Sequence, residues 1–292
     1  MQTHPSKLSL FCATTLLAVA GSLGGLHATV LVSSDFDTGY TADAVLSGQS
    51  GGGDVGLSGT YSASTASLGV NVRNADFVGI NTTYNVSGGG TISGGSHYVL
   101  LDNFTAVPAI GYTRNLASGI GGQTLYSRVV LVPKDGFNTD TFILFGLDHS
   151  GPDNASAIVG ISPDGSNAVA SSALNGTFAP FAGGTLANDS AYLLVARFNW
   201  DGSGYTSVDT WLNPTATDFN TPDATQAITG YAPTFNSISL KVANVSNGKY
   251  FGMDSLAVGT AWSDVVAIPE PSTWAMLAFS AGAGLLLRRR RA

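Results

Sequence analysis

Short β-type runs separated by turn clusters, with no helical period between residues 29 and 267, constrain this chain more than any other feature. Residues 98–101, 125–132, 141–147, 157–161 and 192–198 are rich in β-branched and aromatic side chains and are bounded by Gly, Pro, Asn or Asp. The separators at 134–136, 163–165, 174–177 and 201–204 place Gly or Asn where a tight turn needs positive φ. Many short strands with regular turns specify an all-β, antiparallel sandwich or barrel. The 239 residues from 29 to 267 suffice for one such domain with a substantial core. Two Gly-rich stretches, 47–59 and 88–95, read as long loops, and neither has the period of a solenoid repeat. In 208–212, Val208, Thr210 and Leu212 alternate with Asp209 and Trp211, and Pro214 closes the strand. Alternation through 251–258 puts Phe251, Met253, Ser255 and Ala257 on one face and Gly252, Asp254, Leu256 and Val258 on the other, with Leu256 and Val258 in the core.

Both ends carry targeting patterns. Lys7 precedes the apolar run 8–20 and a small-residue segment, the order of a secretory signal peptide. Cutting after Ala20 follows the better small residues, whereas cutting after Ala28 starts the mature chain on the strand-like Thr29-Val30-Leu31-Val32; the second is preferred, so 1–28 is the signal peptide. Cys12, the sole cysteine, falls inside it, which leaves the mature protein without disulfide, thiol nucleophile or cysteine metal site. At the other end, residues 272–287 form an apolar stretch of about 24 Å as a helix, against about 30 Å of hydrocarbon, and arginine stems can close the gap by snorkelling. Arg288, Arg289, Arg290 and Arg291 follow directly and hold that end in the cytoplasm, which puts residues 29–267 outside.

The tail 268–292, with Pro269-Glu270-Pro271 ahead of a single transmembrane helix and an arginine cluster, resembles the PEP-CTERM sorting tail of bacterial exported proteins, also labelled an ice-binding protein C-terminal motif. That resemblance implies that a membrane exosortase recognises the three residues and cuts the tail, so that the membrane anchor is transient. A second resemblance rests on three segments: Asp35-Phe36-Asp37-Thr38-Gly39-Tyr40 with the glycine-rich turn after it; 195–200, the hairpin at 201–204 and the strand ending in Asn213-Pro214; and Asp254-Ser255-Leu256-Ala257-Val258-Gly259-Thr260. Together they are similar to the strands of concanavalin A-like, laminin-G-like jelly rolls. This implies a jelly-roll sandwich for 29–267 and leaves activity open, since that fold hosts lectins, glycosidases, lyases and adhesion domains.

Composition narrows the partners. Setting aside Lys7 and the tail arginines leaves 7 of the 12 basic residues, and setting aside Glu270 leaves 18 of the 19 acids, all aspartate, for a net charge of −11. No basic face for nucleic acid is available. The neutral-polar Gly, Ser, Thr and Asn content suits a polysaccharide-rich setting. Retaining jelly-roll glucanases resemble one another in a Glu-x-Asp-x-x-Glu strand, and residues 29–267 hold no glutamate at all. Asp201 with Asp209, and Asp135 with Asp140, are close in sequence, and in Gly-rich loops such residues usually form turns. His97 and His149 are not preceded by the Gln-Ile of jelly-roll alginate lyases, and no Gly-x-Ser-x-Gly elbow surrounds a serine near a strand-to-helix turn. Zinc is disfavoured by two distant histidines; calcium is the ion that Asp135, Asn138 and Asp140, or Asp148, Asp153 and Asn154, could hold, without a recognisable loop motif. Asn81, Asn103 and Asn175 head glycosylation-type sequons that read as Asn/Thr-rich loops. Trp211 could stack on a sugar, yet burial under a neighbouring loop is the first expectation for it and for Trp200 and Trp262, and Asp254 reads as a hydrogen-bonded strand residue. The sequence therefore assigns no catalytic residue and no cofactor. It points to an exported, non-catalytic surface or matrix protein that associates with polysaccharide; the alternatives are a glycan-active enzyme on the same fold and an adhesive or ice-binding protein.

Overall fold

The computed structural model describes residues 29–63, 70–74, 77–101, 110–134, 142–148, 156–161, 167–171, 177–181, 185–228, 234–243 and 250–268. The expected signal peptide 1–28, the tail residues Pro269 to Pro271 and Arg288 to Arg291, and the turns expected at 135–136, 163–165 and 174–176 lie outside the described residues. Among the described residues, no helix is long and apolar enough to cross a membrane.

Strands come in chain order as β1 (Val30–Ser34), β2 (Ala44–Val45), β3 (Leu57–Ala63), β4 (Val70–Asn74), β5 (Tyr84–Asn85), β6 (Thr91–Ile92), β7 (His97–Leu101), β8 (Ile110–Gly121) and β9 (Leu125–Lys134). They continue as β10 (Phe142–Asp148), β11 (Ser156–Ile161), β12 (Asn167–Ser171), β13 (Thr177–Pro180), β14 (Tyr192–Trp200), β15 (Tyr205–Leu212), β16 (Ala224–Ala227), β17 (Thr234–Ala243) and β18 (Tyr250–Gly259). One α-helical turn, α1 (Trp262–Val265), follows. A nine-stranded sheet runs β16-β15-β14-β9-β18-β7-β4-β2 with β1 also on β18, and a seven-stranded sheet runs β13-β12-β11-β10-β17-β8-β3. Their pairings are antiparallel. The described residues thus form the all-β, antiparallel two-sheet sandwich that the strand and turn pattern specifies.

The core lies between the sheets. Leu125, Val129 and Leu131 of β9, Leu194, Ala196 and Phe198 of β14, and Phe251, Met253, Leu256 and Val258 of β18 meet Tyr112, Leu116, Ile143, Phe145, Leu147, Ile238 and Leu240 of the opposite sheet. Burying such side chains contributes roughly 1.5–3 kcal/mol each. The pattern on β18 corrects the expectation of strict alternation. Leu256 and Val258 do face the core, but so do Phe251 and Met253, because the strand bulges between Asp254, opposite Val130, and Ala257, opposite Arg128. Ser255 sits at φ 53° inside that bulge, and the extra residue exchanges the two faces.

The Gly-rich stretch 47–59 is more ordered than a long loop. Val55 bridges to Ser33, β3 begins at Leu57, and Gly48 donates from its backbone to Tyr61 O at 2.7 Å. Arg114 of β8 points inward and pairs with Asp54 of this stretch; their side chains are 3% and 1% exposed. The Tyr40 hydroxyl donates to Asp54 Oδ2 at 2.7 Å and accepts from Arg114 Nη1 at 2.8 Å, and the guanidinium lies 5.4 Å from the Tyr61 ring centre. Gly51 passes so close that a Cβ would come within 2.3 Å of Asp54 Oδ2, which explains glycine there.

Candidate functional site

The outer face of the nine-stranded sheet is covered unevenly. Toward β7, Ile80, Tyr98, Leu100 and Val132 close it; at the centre, Val86, Ile92, Trp211, Ala216, Trp262, Val265 and Val266 pack over Val130, Leu193 and Val195. Strands β9, β14, β15 and β16 leave a polar strip beyond this cover. Register builds it: Tyr126 lies opposite Arg197, Arg197 opposite Asp209, and Asp209 opposite Thr225, one row across four strands and three strand spacings, about 14 Å. Asn199 and Ser207 form the adjoining pair.

Hydrogen bonds fix the row. Arg197 donates to Asp209 Oδ2 from Nε at 2.9 Å and from Nη2 at 2.6 Å, Asn199 Nδ2 donates to the same oxygen at 2.8 Å, and Thr225 Oγ1 donates to Oδ1 at 2.6 Å. Burial by itself would raise the Asp209 carboxyl, but the bonds from Asn199, Thr225 and Arg197 outweigh it and hold the group below the usual carboxylate range. Arg197 moves the other way: burial is outweighed by the bonds to and charge of Asp209, and the guanidinium stays charged. Its Nη1 donates at 3.1 Å to the carbonyl of Phe219, and its centre lies 5.3 Å from the Trp211 ring. The turn Asp218–Asn220 thereby holds Phe219, 44% exposed, at the edge of the strip. Thr225 is exposed, and Tyr126, Arg197 and Asn199 are half-buried.

The residues singled out from sequence scatter. Trp211 is 1% exposed with Nε1 donating to Asp218 O at 2.9 Å; Trp262 is 7% exposed, donates to Ala216 O at 3.1 Å and meets Trp211 at 5.0 Å. Both lie under a loop as expected, and Trp200 packs at the core margin against Tyr205. Asp201 is an exposed turn former, its Oδ1 accepting from Ser203 N and Gly204 N at 2.8 and 3.0 Å, so it and Asp209 serve separate networks. Asn81 likewise makes a local turn through Thr83 N. His97 opens β7 beside Asp37, at 3.5 Å. Asp135, Asn138, Asp140, His149, Asp153, Asn154, Asn103 and Asn175 lie outside the described residues, and of Asp148 only the backbone, in β10, is described. Among the described residues, no three His, Cys, Asp or Glu side chains are grouped to hold a metal ion. Arg197, Asn199, Thr225 and Phe219 are the residues sequence reading missed, since no local pattern joins positions that only strand register brings together.

The sequence matches no protein-family model and no curated protein. Among solved structures, the chain is similar to an endo-β-1,4-glucuronan lyase from the fungus Trichoderma reesei, at 11% identity over 70% of this chain and 97% of that one, TM-score 0.42. It is also similar to a carbohydrate esterase of the Shiga toxin-encoding bacteriophage phi24B, at 13% identity over 68% and 89%, TM-score 0.41. A third is the exoplasmic domain of VIP36 in its Ca2+/Man3GlcNAc-bound form, at 11% identity over 62% and 81%, TM-score 0.37. No activity or ligand passes from them to this chain.

Proposed function

We propose that this chain is an exported, non-catalytic β-sandwich, directed by a signal peptide and a PEP-CTERM-type tail to the envelope or extracellular matrix, where it associates with polysaccharide through the strip on its nine-stranded sheet. The observation that carries the binding reading is the Tyr126–Arg197–Asp209–Thr225 row with Phe219 at its edge. Sugars offer hydroxyls to a preorganised polar row and C–H faces to an aromatic ring, and this strip supplies both. The saturated, ionised Asp209 favours binding over hydrolysis, because a general acid must carry a proton near neutral pH. In the sorting reading, Pro269, Glu270 and Pro271 present an extended strip to an exosortase while Arg288 to Arg291 stop translocation.

A glycan array and a reducing-sugar assay on the purified protein test the reading. Phe219→Ala is expected to weaken glycan binding about tenfold, some 1.4 kcal/mol, and, because the ring is exposed, to leave the unfolding midpoint unchanged. Release of reducing ends by the wild type would establish the enzymatic alternative; equal binding by wild type and Phe219→Ala would remove the strip from the account.

A further inference from the structure

Asp254 has no exposed surface, and it stands next to Ser255, where β18 loses regular pairing along both edges. On one edge β7 pairs with residues 251–253 and β1 takes over at Leu256, so Asp254 and Ser255 lie in the fork between two strands. On the other edge Asp254 still pairs with Val130 of β9, the bulge spans Ser255 and Leu256 directly after it, and Ser255 holds the left-handed conformation there. Two segments fill the fork: the turn after β1 and the end of the 77–96 excursion that covers the outer face.

The carboxylate ties that excursion down. Thr82 Oγ1 donates to Asp254 Oδ2 at 2.7 Å, Gly95 N donates to the same oxygen at 3.2 Å, and Ser255 N donates to Oδ1 at 2.6 Å. Ser255 Oγ adds a bond to Ser93 O at 3.1 Å. Gly95 is wedged between two carboxylates, since a Cβ on it would meet Asp37 Oδ2 at 2.0 Å. Asp37 in turn accepts from His97 N at 2.6 Å and Ser96 Oγ at 3.2 Å. Arg128 of β9 is the cation nearest the fork, but its Nε and Nη1 donate to the carbonyls of Ser255 and Val265, at 3.1 and 3.3 Å, rather than to the carboxylate. Asp264 of α1 is committed to the backbone of Thr260 and Ala261.

We propose that Asp254 is a proton-operated clasp: in its neutral form it holds the 77–96 excursion in the fork between β1 and β7, and its ionisation loosens that segment from the sheet. A buried charge with a like charge across one glycine and no paired cation is costly, whereas the neutral acid can give its proton to Thr82 Oγ1, reversing that bond, and still accept from Ser255 N and Gly95 N. Burial, opposed by the bonds from Thr82, Ser255 and Gly95 and reinforced by Asp37, pushes the carboxyl up to about 7. The folded state therefore keeps a proton that the unfolded chain gives up near pH ~4, and stability present below that pH is lost as pH rises toward and through about 7.

The experiment follows urea unfolding midpoints of the full chain from pH 4.5 to 9, together with hydrogen exchange in 80–96 corrected for intrinsic rates. Wild type should lose stability as pH rises, with a break near 7, and protection of 80–96 should fall about tenfold or more between pH 5.5 and 8.5. Asp254→Asn should flatten both curves, while His97→Gln, which removes the imidazole beside Asp37, should retain them. If Asp254→Asn does not fold, Asp37→Asn should move the break to lower pH by removing the like charge. Identical pH dependence in wild type and Asp254→Asn, its disappearance in His97→Gln, or an unmoved break in Asp37→Asn would overturn the clasp.

Discussion

Replacing Asp54 by alanine tests whether a Gly-rich stretch with few apolar anchors is held by a buried ion pair. Asp54 accepts from Arg114, from the Tyr40 hydroxyl and from Gly51 N at 3.1 Å, inside a site where both charged side chains are almost wholly covered. The same burial, opposed by a bond from Ser34 and joined by the bond to Asp54, pushes the Tyr40 hydroxyl well above its ordinary range, so it remains a neutral donor. Removing the carboxylate strands Arg114, leaving Nε on Gly59 O at 3.1 Å and Nη1 on Tyr40. Breaking a buried pair in this way costs about 3–5 kcal/mol, a large part of the 5–15 kcal/mol typical of a whole domain. Screening does not reduce the figure, because water and salt scarcely reach either group. Urea unfolding of wild type, Asp54→Ala, Arg114→Met and the double variant should show the double variant less destabilised than the sum of the singles, since it buries no unpaired charge. A cost below about 1 kcal/mol for Asp54→Ala, or strict additivity at both low and high salt, would refute the view that this pair holds the Gly-rich stretch.

Two further outcomes are expected. Leu256→Ala and Met253→Ala should each cost about 2–5 kcal/mol, because the bulge turns both side chains into the core; an unchanged denaturation midpoint for either variant would sink that assignment. Glu270→Ala should leave the protein folded and exported but unprocessed, and equal masses of mature protein from wild-type and variant cells would rule out recognition through this residue.

The strands of the sandwich were legible where apolar runs are dense, as in 125–132 and 192–198, and hidden where composition and register disguise them. β8 carries Arg114, Asn115, Ser118 and several glycines, and it is a strand because β17 and β3 flank it on both sides. β17 breaks its own alternation at the irregularity between Phe235 and Ser237. The bulge in β18 was unreadable for a related reason: it needs a left-handed residue, and serine supplies it where glycine would have signalled it. Trp211 and Trp262 behaved as large aromatics usually do, buried with their N–H groups satisfied. The strip was illegible because its row draws on residues 126, 197, 209 and 225, joined by register alone, and because Phe219 gives no sign in sequence that its ring is left outside while its carbonyl is engaged by Arg197.

Among the described residues, Asp209 and Asp254 are two buried carboxylates with opposite electrostatic settings. Asp209 belongs to the row of the strip but is only 4% exposed, and three donors on one oxygen and one on the other keep it ionised. Asp254 is driven to hold a proton near neutrality, yet it is enclosed on every side by the fork, the excursion and the sheet. The two carboxylates thus lie on opposite sides of the covered centre of one sheet face, with β9 running between them through Tyr126 and Arg128. The proposed clasp would give the cover over that face a response to pH that the strip, whose Arg197 and Asp209 both stay charged across the same range, does not itself possess.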